Sequence, residues 1–386
     1  MEIFKNLTVI GITGSYGKTT TKEFLATILS GKFKTLATSN HKNSEMGIAD
    51  TILKELKPEH EIFIVEMGAY KKGGIKMLCD IINPKIGMVT GVTVQHLSLF
   101  GSLENLLSAE GGRELAESLP SSGFIAVNGE NKYCVDLYKN IEKINKISRK
   151  IYTETSDKID SDIFAKQIEV SKNNLSFVAV ANSPAGGKHM AHFDVNILGR
   201  HNLQNILGAI LVAKELGMSL EEISKACQNI KSEQAGIVLK SGKHNINIID
   251  SSYSSNPDGA IADLNCLKLF GGKKIVVMPC LIELGEKSKE IHYKIGQKIG
   301  EICDLAIITS KDKFSDLKKG FDNEVTKRFV IPAKAGIQIS VADKIIFLEN
   351  SEEIYHKITT FCSEGDSVLL EGRVPQKLVK LLVDEE

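Results

Sequence analysis

The chain has 386 residues, which is long for a single hydrophobic core and favours two or three domains. Lysine plus arginine and aspartate plus glutamate number 48 each, and 42% of the residues are hydrophobic, so no general nucleic-acid or membrane surface is indicated. Seven cysteines without a CxxC pair indicate neither a disulfide framework nor a zinc site. Because the sequence shows no signal-peptide pattern and no membrane-spanning apolar run, we expect a cytoplasmic protein.

The first chemically informative stretch is GITGSYGKTT, which lies between an apolar, β-branched run and a segment with helical apolar spacing. A glycine-rich loop between a strand and a helix turns backbone N–H groups toward an anion. A lysine after the loop can contact terminal phosphates, and the next hydroxyl can hold Mg²⁺. The generic motif also requires glycine at position 12, where this chain has Ile12. The candidate phosphate-binding residues are Thr13, Gly14, Ser15, Tyr16, Gly17, Lys18, Thr19 and Thr20.

Strand and helix patterns alternate from residue 7 to about residue 130, which predicts a mainly parallel sheet covered on both faces. Ligand contacts in such folds lie at the carboxyl ends of the strands. Asn43 follows the predicted strand 34–38, Glu66 ends the next one, and His96 follows a third. Taken singly, these residues also fit a solvated loop, an ion-pair partner and a structural histidine. Taken as a series, they are candidates for one edge, with Glu66 as a Mg²⁺ ligand. The segment 102–118 is predicted as one helix.

The pattern changes between about 148 and 197, where short strands at 163–170, 175–180 and 192–197 predict a small antiparallel excursion. The polar cluster at 199–205 then leads into an apolar helix, and it could face a base or ribose or simply cap that helix. From about 235 the βα alternation resumes, which predicts a second, Rossmann-like α/β domain. We therefore expect domains at 1–234 and 235–386, with residues 330–338 as a surface insertion.

Taken in order, these motifs resemble the Mur ligase family of ATP-dependent enzymes, which join amino acids or peptides to the cell-wall precursor. The stretch ITGSYGKTTTKE is similar to the phosphate loop of the family, whose TGxxGKT form has no glycine at the position of Ile12. Other segments are most similar to the branch that adds D-alanyl-D-alanine: VEMGA at 65–69, the His96 segment, LGRHNLQN at 198–205, DSSYSSNP at 250–257 and IELGEKSKEIH at 282–292.

The resemblance implies that ATP phosphorylates a substrate carboxylate and that an amine attacks the acyl phosphate to give an amide, ADP and phosphate. It implies catalytic roles for Lys18, Glu66 and His96, and Mg²⁺ ligation by Thr19, Glu66 and His96. The expected partners are a small-molecule or peptide carboxylate acceptor and an amine donor, with ATP and Mg²⁺ as cofactors. His201, Asn202 and Asn205 would contact the nucleotide, and Asn43, Asp250, Tyr253 and Asn256 would contact substrate.

Several positions depart from the family pattern. The family carries a lysine modified as a carbamate, and our alignment places Gly112 there, so a metal-bridging anion is expected to be missing unless a water or a side chain such as Arg113 replaces it. Ile237 stands where an arginine is expected, and Glu371 stands where a lysine is expected. Met1 lies almost at the first strand, so the N-terminal UDP-sugar-binding domain of the family is expected to be absent, and a separate protein could supply that recognition.

Three functions follow from these observations. The leading hypothesis is a ligase that adds D-alanyl-D-alanine or a similar amine to a muramyl peptide. A related ligase of the folylpolyglutamate or cyanophycin type is favoured by the expected absence of the UDP-sugar domain. A nucleotide-binding pseudo-ligase is motivated by Gly112, Ile237 and Glu371, because catalytic groups that act together lose activity non-additively when one is removed.

Overall fold

The computed structural model describes residues 6–39, 41–93, 96–155, 159–182, 186–252, 256–329 and 344–383, without the side chains of residues 328 and 329. The chain divides into two compact units. Unit 1 consists of Met1–Val170, Asn174–Ile197 and His201–Gln234, and unit 2 consists of Ser171–Asn173, Leu198–Arg200 and Ala235–Glu386. Both the predicted insertion at 330–338 and Tyr253 lie outside the described residues.

Unit 1 is built on one sheet, and its strands in the described ranges are β1 (Thr8–Thr13), β2 (Thr35–Ala37), β3 (Ile62–Glu66), β4 (Ile86–Val89), β5 (Phe124–Asn128), β6 (Ser148–Thr153), β7 (Ile163–Val170), β8 (Leu175–Asn182) and β9 (Lys188–Val195). Their spatial order is β2-β3-β1-β4-β5-β6-β7-β8-β9. Neighbours from β2 to β7 are parallel, whereas β7, β8 and β9 pair antiparallel. The predicted mainly parallel sheet with an antiparallel excursion is confirmed.

The helices of unit 1 are α1 (Lys18–Ser30), α2 (Glu45–Lys54), α3 (Gly74–Ile82), α4 (Leu97–Phe100), α5 (Leu103–Ser108), α6 (Arg113–Ser118), α7 (Lys132–Ile144), α8 (Asn202–Glu215) and α9 (Leu220–Cys227). A 3₁₀ turn follows at Ser232–Ala235. Polar side chains define several starts: Ser44 accepts a hydrogen bond from the Gly47 N–H, and Ser219 forms a capping box with Glu222. None of the helices described is both long and apolar enough to cross a bilayer.

Two predictions about unit 1 were wrong. The segment 102–118 is not one helix, because the chain turns between α5 and α6, where Gly112 has a φ of 82°. The parallel part of the sheet also extends through β6 to β7, beyond the residue near 148 where we predicted the change of pattern. Helices α3 and α7 were not predicted.

Unit 2 has its own sheet, with strands β10 (Val238–Gly242), β11 (Ile246–Ser251), β12 (Lys274–Met278), β13 (Leu305–Ile308), β14 (Ile345–Phe347) and β15 (Ser367–Glu371). Their order is β10-β11-β15-β12-β13-β14, and all neighbours are parallel except β10 and β11. The helices are α10 (Pro257–Leu267), α11 (Ser288–Ile302), α12 (Phe314–Phe329), α13 (Ser351–Phe361) and α14 (Gln376–Leu382), with 3₁₀ turns at Lys243–Asn245 and Gly285–Lys287.

Alternation along β12 shows that the sheet of unit 2 is buried on both faces. Val276 belongs to one apolar cluster, whereas Ile275 and Val277 belong to another. Successive side chains of a strand point to opposite faces, so each face of the sheet contributes to a separate core. The predicted second α/β domain is confirmed in its fold class, although β10 and α12 were not predicted.

Candidate functional site

The loop between β1 and α1 presents an open helix N-terminus. Gly14 has a φ of 141° and Gly17 a φ of 75°, conformations that L side chains rarely adopt. Gly17 precedes α1 directly, and no side chain caps that helix within the described residues. The first N–H groups of a helix have no intrahelical acceptor and carry the positive end of its dipole. This loop therefore has the backbone arrangement of an anion site.

The segment after β4 is hydrogen-bonded to this loop between β1 and α1, which we call the phosphate loop. The Thr90 hydroxyl donates to the Tyr16 carbonyl at 2.5 Å, and the Ser15 N–H donates to the Gly91 carbonyl at 2.7 Å. A Cβ at Gly91 would lie 2.3 Å from Tyr16 Cζ, so glycine is needed there to admit the ring. Thr90 and Gly91 were not selected from the sequence, although both lie where β4 ends beside β1.

The Lys18 side chain folds back over the loop, and its Nζ donates to the Gly14 carbonyl at 2.6 Å. Thr19 and Thr20 are half-buried in the first turn of α1. Thr13 is fully buried, and its hydroxyl has no hydrogen-bond partner among the described residues. The loop thus combines a flexible cation, hydroxyl groups and open N–H donors, which are the groups that bind a nucleotide phosphate chain.

Glu66 lies at the carboxyl end of β3, directly beside Ile12 of β1, and is 5% exposed. Its Oε1 accepts a hydrogen bond from Asn43 Nδ2 at 3.1 Å, and its Oε2 lies 3.7 Å from Lys22 Nζ. The structure therefore brings together Asn43 and Glu66, which were predicted separately. Lys22 is fully buried on α1 and was not selected from the sequence, because an i+4 lysine after Lys18 gives no local signal of burial.

A second buried carboxylate, Glu110, connects the phosphate loop to His96. Its Oε2 accepts from the Ser15 hydroxyl at 2.5 Å, and its Oε1 lies 2.9 Å from His96 Nδ1. The Glu110 side chain is 5% exposed and that of His96 is 24% exposed. The Ser15 hydroxyl also accepts from the Thr93 N–H at 3.1 Å. His96 is therefore linked to the loop through Glu110, and its predicted catalytic and metal-binding roles stay predictions.

The structure shows why Gly112 carries no side chain and pairs Arg113 with a surface carboxylate. A Cβ at Gly112 would lie 2.3 Å from Val89 Cγ2, so no side chain fits there without rearrangement. Arg113 is on the exposed surface of α6, where its Nε donates to Glu117 Oε1 at 3.0 Å. The carboxylate that faces the loop is Glu110, two residues before the glycine that our alignment selected.

The predicted nucleotide contacts lie at the start of α8, which packs on α1. Asn205 Oδ1 accepts from the Thr21 hydroxyl at 3.4 Å, and its Nδ2 donates to Asn202 Oδ1 at 3.1 Å. A Cβ at Gly17 would lie 2.6 Å from Asn205 Oδ1, so this amide lies directly against the phosphate loop. His201 immediately precedes α8.

In unit 2, Asp250 and Asn256 have clear structural partners. Burial opposes ionisation of Asp250, but hydrogen bonds from Lys240 and Ser252 outweigh it and lower the pKa of this carboxyl. Lys240 Nζ lies 2.6 Å from Asp250 Oδ2. The Asn256 side chain caps α10 by accepting from the Gly259 N–H at 2.9 Å. Their predicted contacts with substrate stay predictions.

The two other positions that depart from the family pattern both lie in unit 2, and both are buried. Ile237 is 1% exposed and belongs to an apolar core cluster, so a cation would not fit this position without repacking. Glu371 is also 1% exposed and ends β15 beside Ser251 of β11.

The donor groups in unit 1 fit a hard divalent cation bound together with phosphate. Among the described residues, no group of three or more histidine, cysteine, aspartate or glutamate side chains is arranged to hold a metal ion alone. Mg²⁺ in nucleotide sites commonly keeps several waters and uses one or two carboxylates plus phosphate oxygens, so it needs no such cage. Glu66, a buried strand-end carboxylate beside the phosphate loop, offers that chemistry.

Family models match both halves of the chain. A model described as the Mur ligase middle domain matches residues 12–213. A second, described as the Mur ligase, glutamate ligase domain, matches residues 237–374.

The curated relatives include UDP-N-acetylmuramoyl-tripeptide–D-alanyl-D-alanine ligases. That of Escherichia coli (strain K12) is 29% identical over 289 residues, which are 75% of this chain and 61% of that protein. That of Buchnera aphidicola subsp. Acyrthosiphon pisum (strain APS) is 28% identical over 375 residues, which are 96% of this chain and 76% of that protein. The match therefore spans less than two thirds of the length of the first relative.

Solved structures with the same fold include MurF from Acinetobacter baumannii. It has a TM-score of 0.82 and 25% identity, and the alignment covers 98% of this chain and 77% of that one. MurF ligase from Thermotoga maritima, solved in complex with ADP, has a TM-score of 0.78 at 23% identity over 98% of this chain and 81% of that one. Because the identity to this second structure is only 23%, the similarity shows a shared fold alone.

Proposed function

The chain belongs to the Mur ligase family, and from this premise we propose that it is an ATP-dependent amide ligase acting in peptidoglycan precursor synthesis. Its proposed reaction adds D-alanyl-D-alanine, or a similar amine, to the carboxylate of a muramyl peptide. The names of the curated relatives support this choice of substrates. The observation that carries the proposal is the open phosphate loop with Lys18, beside the buried Glu66 and the Glu110–His96 pair.

Each residue has a task that its position supports. The loop N–H groups and Lys18 would bind the ATP phosphates and stabilise the charge that develops during phosphoryl transfer. Lys18 would have to leave the Gly14 carbonyl to do so, which a flexible lysine side chain can do. Thr19, Glu66 and His96 would hold Mg²⁺, which when bound neutralises charge on the phosphate oxygens.

The nucleotide and substrate contacts extend the proposal. Asn205 lies against Gly17 and would contact the nucleotide together with His201 and Asn202. Asn43, already hydrogen-bonded to Glu66, would contact the acceptor. Asp250, Tyr253 and Asn256 would serve the amine substrate. We also propose that residues 1–234 and 235–386 are the two domains and that the protein works in the cytoplasm, where ATP and the UDP-linked precursor are available.

The test is ATP-dependent phosphate release measured over a panel of acceptors and amines. We expect release only when a UDP-linked muramyl tripeptide and D-alanyl-D-alanine are both present. Lys18→Ala is expected to abolish it. Lys54→Ala serves as the control, because Lys54 is exposed on α2 and pairs only at the surface with Asp50. Equal ATP turnover with neither substrate would contradict the proposal.

The same panel separates the alternatives. Release with a folate or an amino-acid polymer as acceptor, but not with a muramyl peptide, would favour a related ligase. ATP binding without turnover on any acceptor would favour a pseudo-ligase. Activity only in the presence of a second, UDP-sugar-binding protein would show that a partner supplies recognition of the UDP-sugar.

A further inference from the structure

We propose that Glu110 is a positioning residue that holds His96 and the phosphate loop as one unit. The inference deepens the proposed function, on which it rests for the ligand that His96 would meet. Glu110 is 4% exposed, and both of its carboxylate oxygens contact polar side chains: Oε2 contacts Ser15 Oγ at 2.5 Å, and Oε1 contacts His96 Nδ1 at 2.9 Å. One buried carboxylate therefore contacts two candidate ligand-binding segments.

The contact at Nδ1 determines which ring nitrogen of His96 is available to bind a ligand. A carboxylate oxygen accepts hydrogen bonds, so the contact of Glu110 Oε1 with Nδ1 favours the ring tautomer that carries its proton on Nδ1. In the neutral ring, Nε2 then keeps its lone pair and can accept a hydrogen bond or ligate a metal. Among the described residues, the His96 ring is hydrogen-bonded to Glu110 through Nδ1, and its Nε2 makes no hydrogen bond. Carboxylate contacts of this kind orient metal-binding histidines in proteins generally.

Glu110 also contacts the phosphate loop, through the Ser15 hydroxyl. The Ser15 hydroxyl donates a hydrogen bond to Glu110 and accepts one from the Thr93 N–H at 3.1 Å, so it acts as both donor and acceptor. The Ser15 N–H is bound to the Gly91 carbonyl at 2.7 Å. Ser15 is thus held at its side chain and its backbone. A shift of Glu110 would move the loop and His96 together.

Glu110 lies in a tight backbone turn between α5 and α6. The chain leaves α5 after Ser108, and the Gly111 N–H donates to the Leu106 carbonyl at 3.1 Å. A Cβ at Gly111 would lie 2.3 Å from the Leu107 carbonyl oxygen, so glycine is needed there. The tight turn between α5 and α6 therefore interrupts a helix and places a carboxylate beside the loop.

A second buried glutamate supplies a matched control. Glu114, on α6, is also 4% exposed and accepts from the Gly73 N–H at 2.8 Å and the Lys76 N–H at 3.0 Å. It is bound to the start of α3 and, among the described residues, is not hydrogen-bonded to Ser15 or His96. Methionine has a volume similar to that of glutamate but no strong acceptor. Glu110→Met and Glu114→Met therefore make the same chemical change, and only the first removes the contact with His96.

The first experiment measures the tautomer of His96 in the free protein. Ring ¹⁵N shifts are recorded with labelled histidine at about pH 8.5, where an ordinary histidine with a pKa of about 6.5 is neutral. The signals are assigned with His96→Gln. We expect the Nδ1–H form in the wild type and in Glu114→Met, and a shift toward the Nε2–H form in Glu110→Met. An Nε2–H ring in the wild type, or no change in folded Glu110→Met, would overturn the inference.

The second experiment measures the Mg²⁺ concentration needed for half-maximal binding of a non-hydrolysable ATP analogue. Loss of an outer contact to a ligand histidine commonly weakens metal binding by about 10–100-fold, and we expect a change of that order in Glu110→Met but not in Glu114→Met. Equal effects in the two variants would overturn the inference. The tautomer measurement needs neither ATP nor substrate, so a protein inactive on every acceptor would refute the proposed ligase without affecting the assignment of Glu110.

Discussion

Lys22 Nζ lies 3.7 Å from Glu66 Oε2 and 3.0 Å from Glu23 Oε1, although the Lys22 side chain is fully buried. A buried ammonium without compensation is strongly unfavourable, and these two carboxylates supply the opposite charge. Its Nζ has no hydrogen-bond partner among the described residues. The candidate Mg²⁺ ligand Glu66 therefore has an internal counter-ion on the same helix that carries Lys18.

Removing this cation is expected to destabilise unit 1. Lys22→Met leaves Glu66 without its buried counter-ion, and removing one partner of a buried pair commonly lowers the free energy of unfolding by about 3–5 kcal/mol. Lys54→Met removes an exposed partner of Asp50 and should change it by about 0.5 kcal/mol or less. Urea unfolding measures both. If Lys22→Met were as stable as Lys54→Met, the pair with Glu66 would have no energetic importance.

Gly17→Ala should impair nucleotide binding more than it impairs folding. A left-handed alanine is strained by about 1–2 kcal/mol, and its Cβ would meet Asn205 Oδ1 at 2.6 Å. Gly217→Ala introduces the same strain at a φ of 86° with no atom within 4 Å, so it controls for the backbone effect. We expect ATP affinity to fall in Gly17→Ala and to stay at the wild-type value in Gly217→Ala, as measured by calorimetry.

Introducing the lysine that our alignment expected at Gly112 should not improve the enzyme. The Cβ would lie 2.3 Å from Val89 Cγ2, and the backbone has a φ of 82°. We expect Gly112→Lys to lose about 2 kcal/mol or more of unfolding free energy. Gly365→Lys has the same φ but no atom within 4 Å of the new Cβ, and should lose less. A stable and more active Gly112→Lys would reinstate the original alignment.

Phosphate release should not depend on dissolved carbon dioxide. The family resemblance implies a carbamylated lysine, whose carboxylate comes from CO₂, whereas the carboxylate beside His96 belongs to Glu110 itself. Rates in CO₂-free buffer and in buffer with added bicarbonate should therefore agree. Activation by bicarbonate would mean that a lysine elsewhere in the site is modified.

The stability of unit 2 should decrease below the ordinary pKa of histidine because of His292. Burial lowers the pKa of this ring, more than the Ser288 carbonyl at Nδ1 raises it. His292 is 0% exposed, and its Nε2 accepts from the Leu281 N–H at 3.0 Å, so protonation would put two N–H groups opposite each other.

The sign of this effect follows from proton linkage. The unfolded ring, with a pKa of about 6.5, binds a proton before the folded ring does, so stability is full above about pH 6.5 and is lost as the pH falls toward the folded pKa. In His292→Gln the amide oxygen can still accept from Leu281 and does not titrate. Unfolding curves at several pH values should therefore show a weaker pH dependence in this variant. An unchanged dependence would assign it to other groups.

Two parts of the candidate site, the phosphate loop and the strand-end carboxylate, could be located from the sequence because their signals are local. The glycines, Lys18 and Thr19 are adjacent in sequence, and a strand that ends on Glu66 is visible as an apolar run followed by an acid. Periodicity also identified the main strands on both sides of residue 235 and the antiparallel excursion. These patterns reflect burial and backbone conformation, which each short segment expresses by itself.

What the sequence by itself determined was the phosphate loop, the α/β class and the family resemblance. The tertiary structure alone decided which side chains meet. Ser15 and Glu110 are 95 positions apart, and Tyr16 and Thr90 are 74 apart, and they touch because the sheet order places β4 beside β1. Our alignment selected Gly112 from local spacing, whereas a side chain there would collide with Val89, and the carboxylate beside the loop is Glu110. Local spacing records no such contact, because strand order is set by packing over the whole chain.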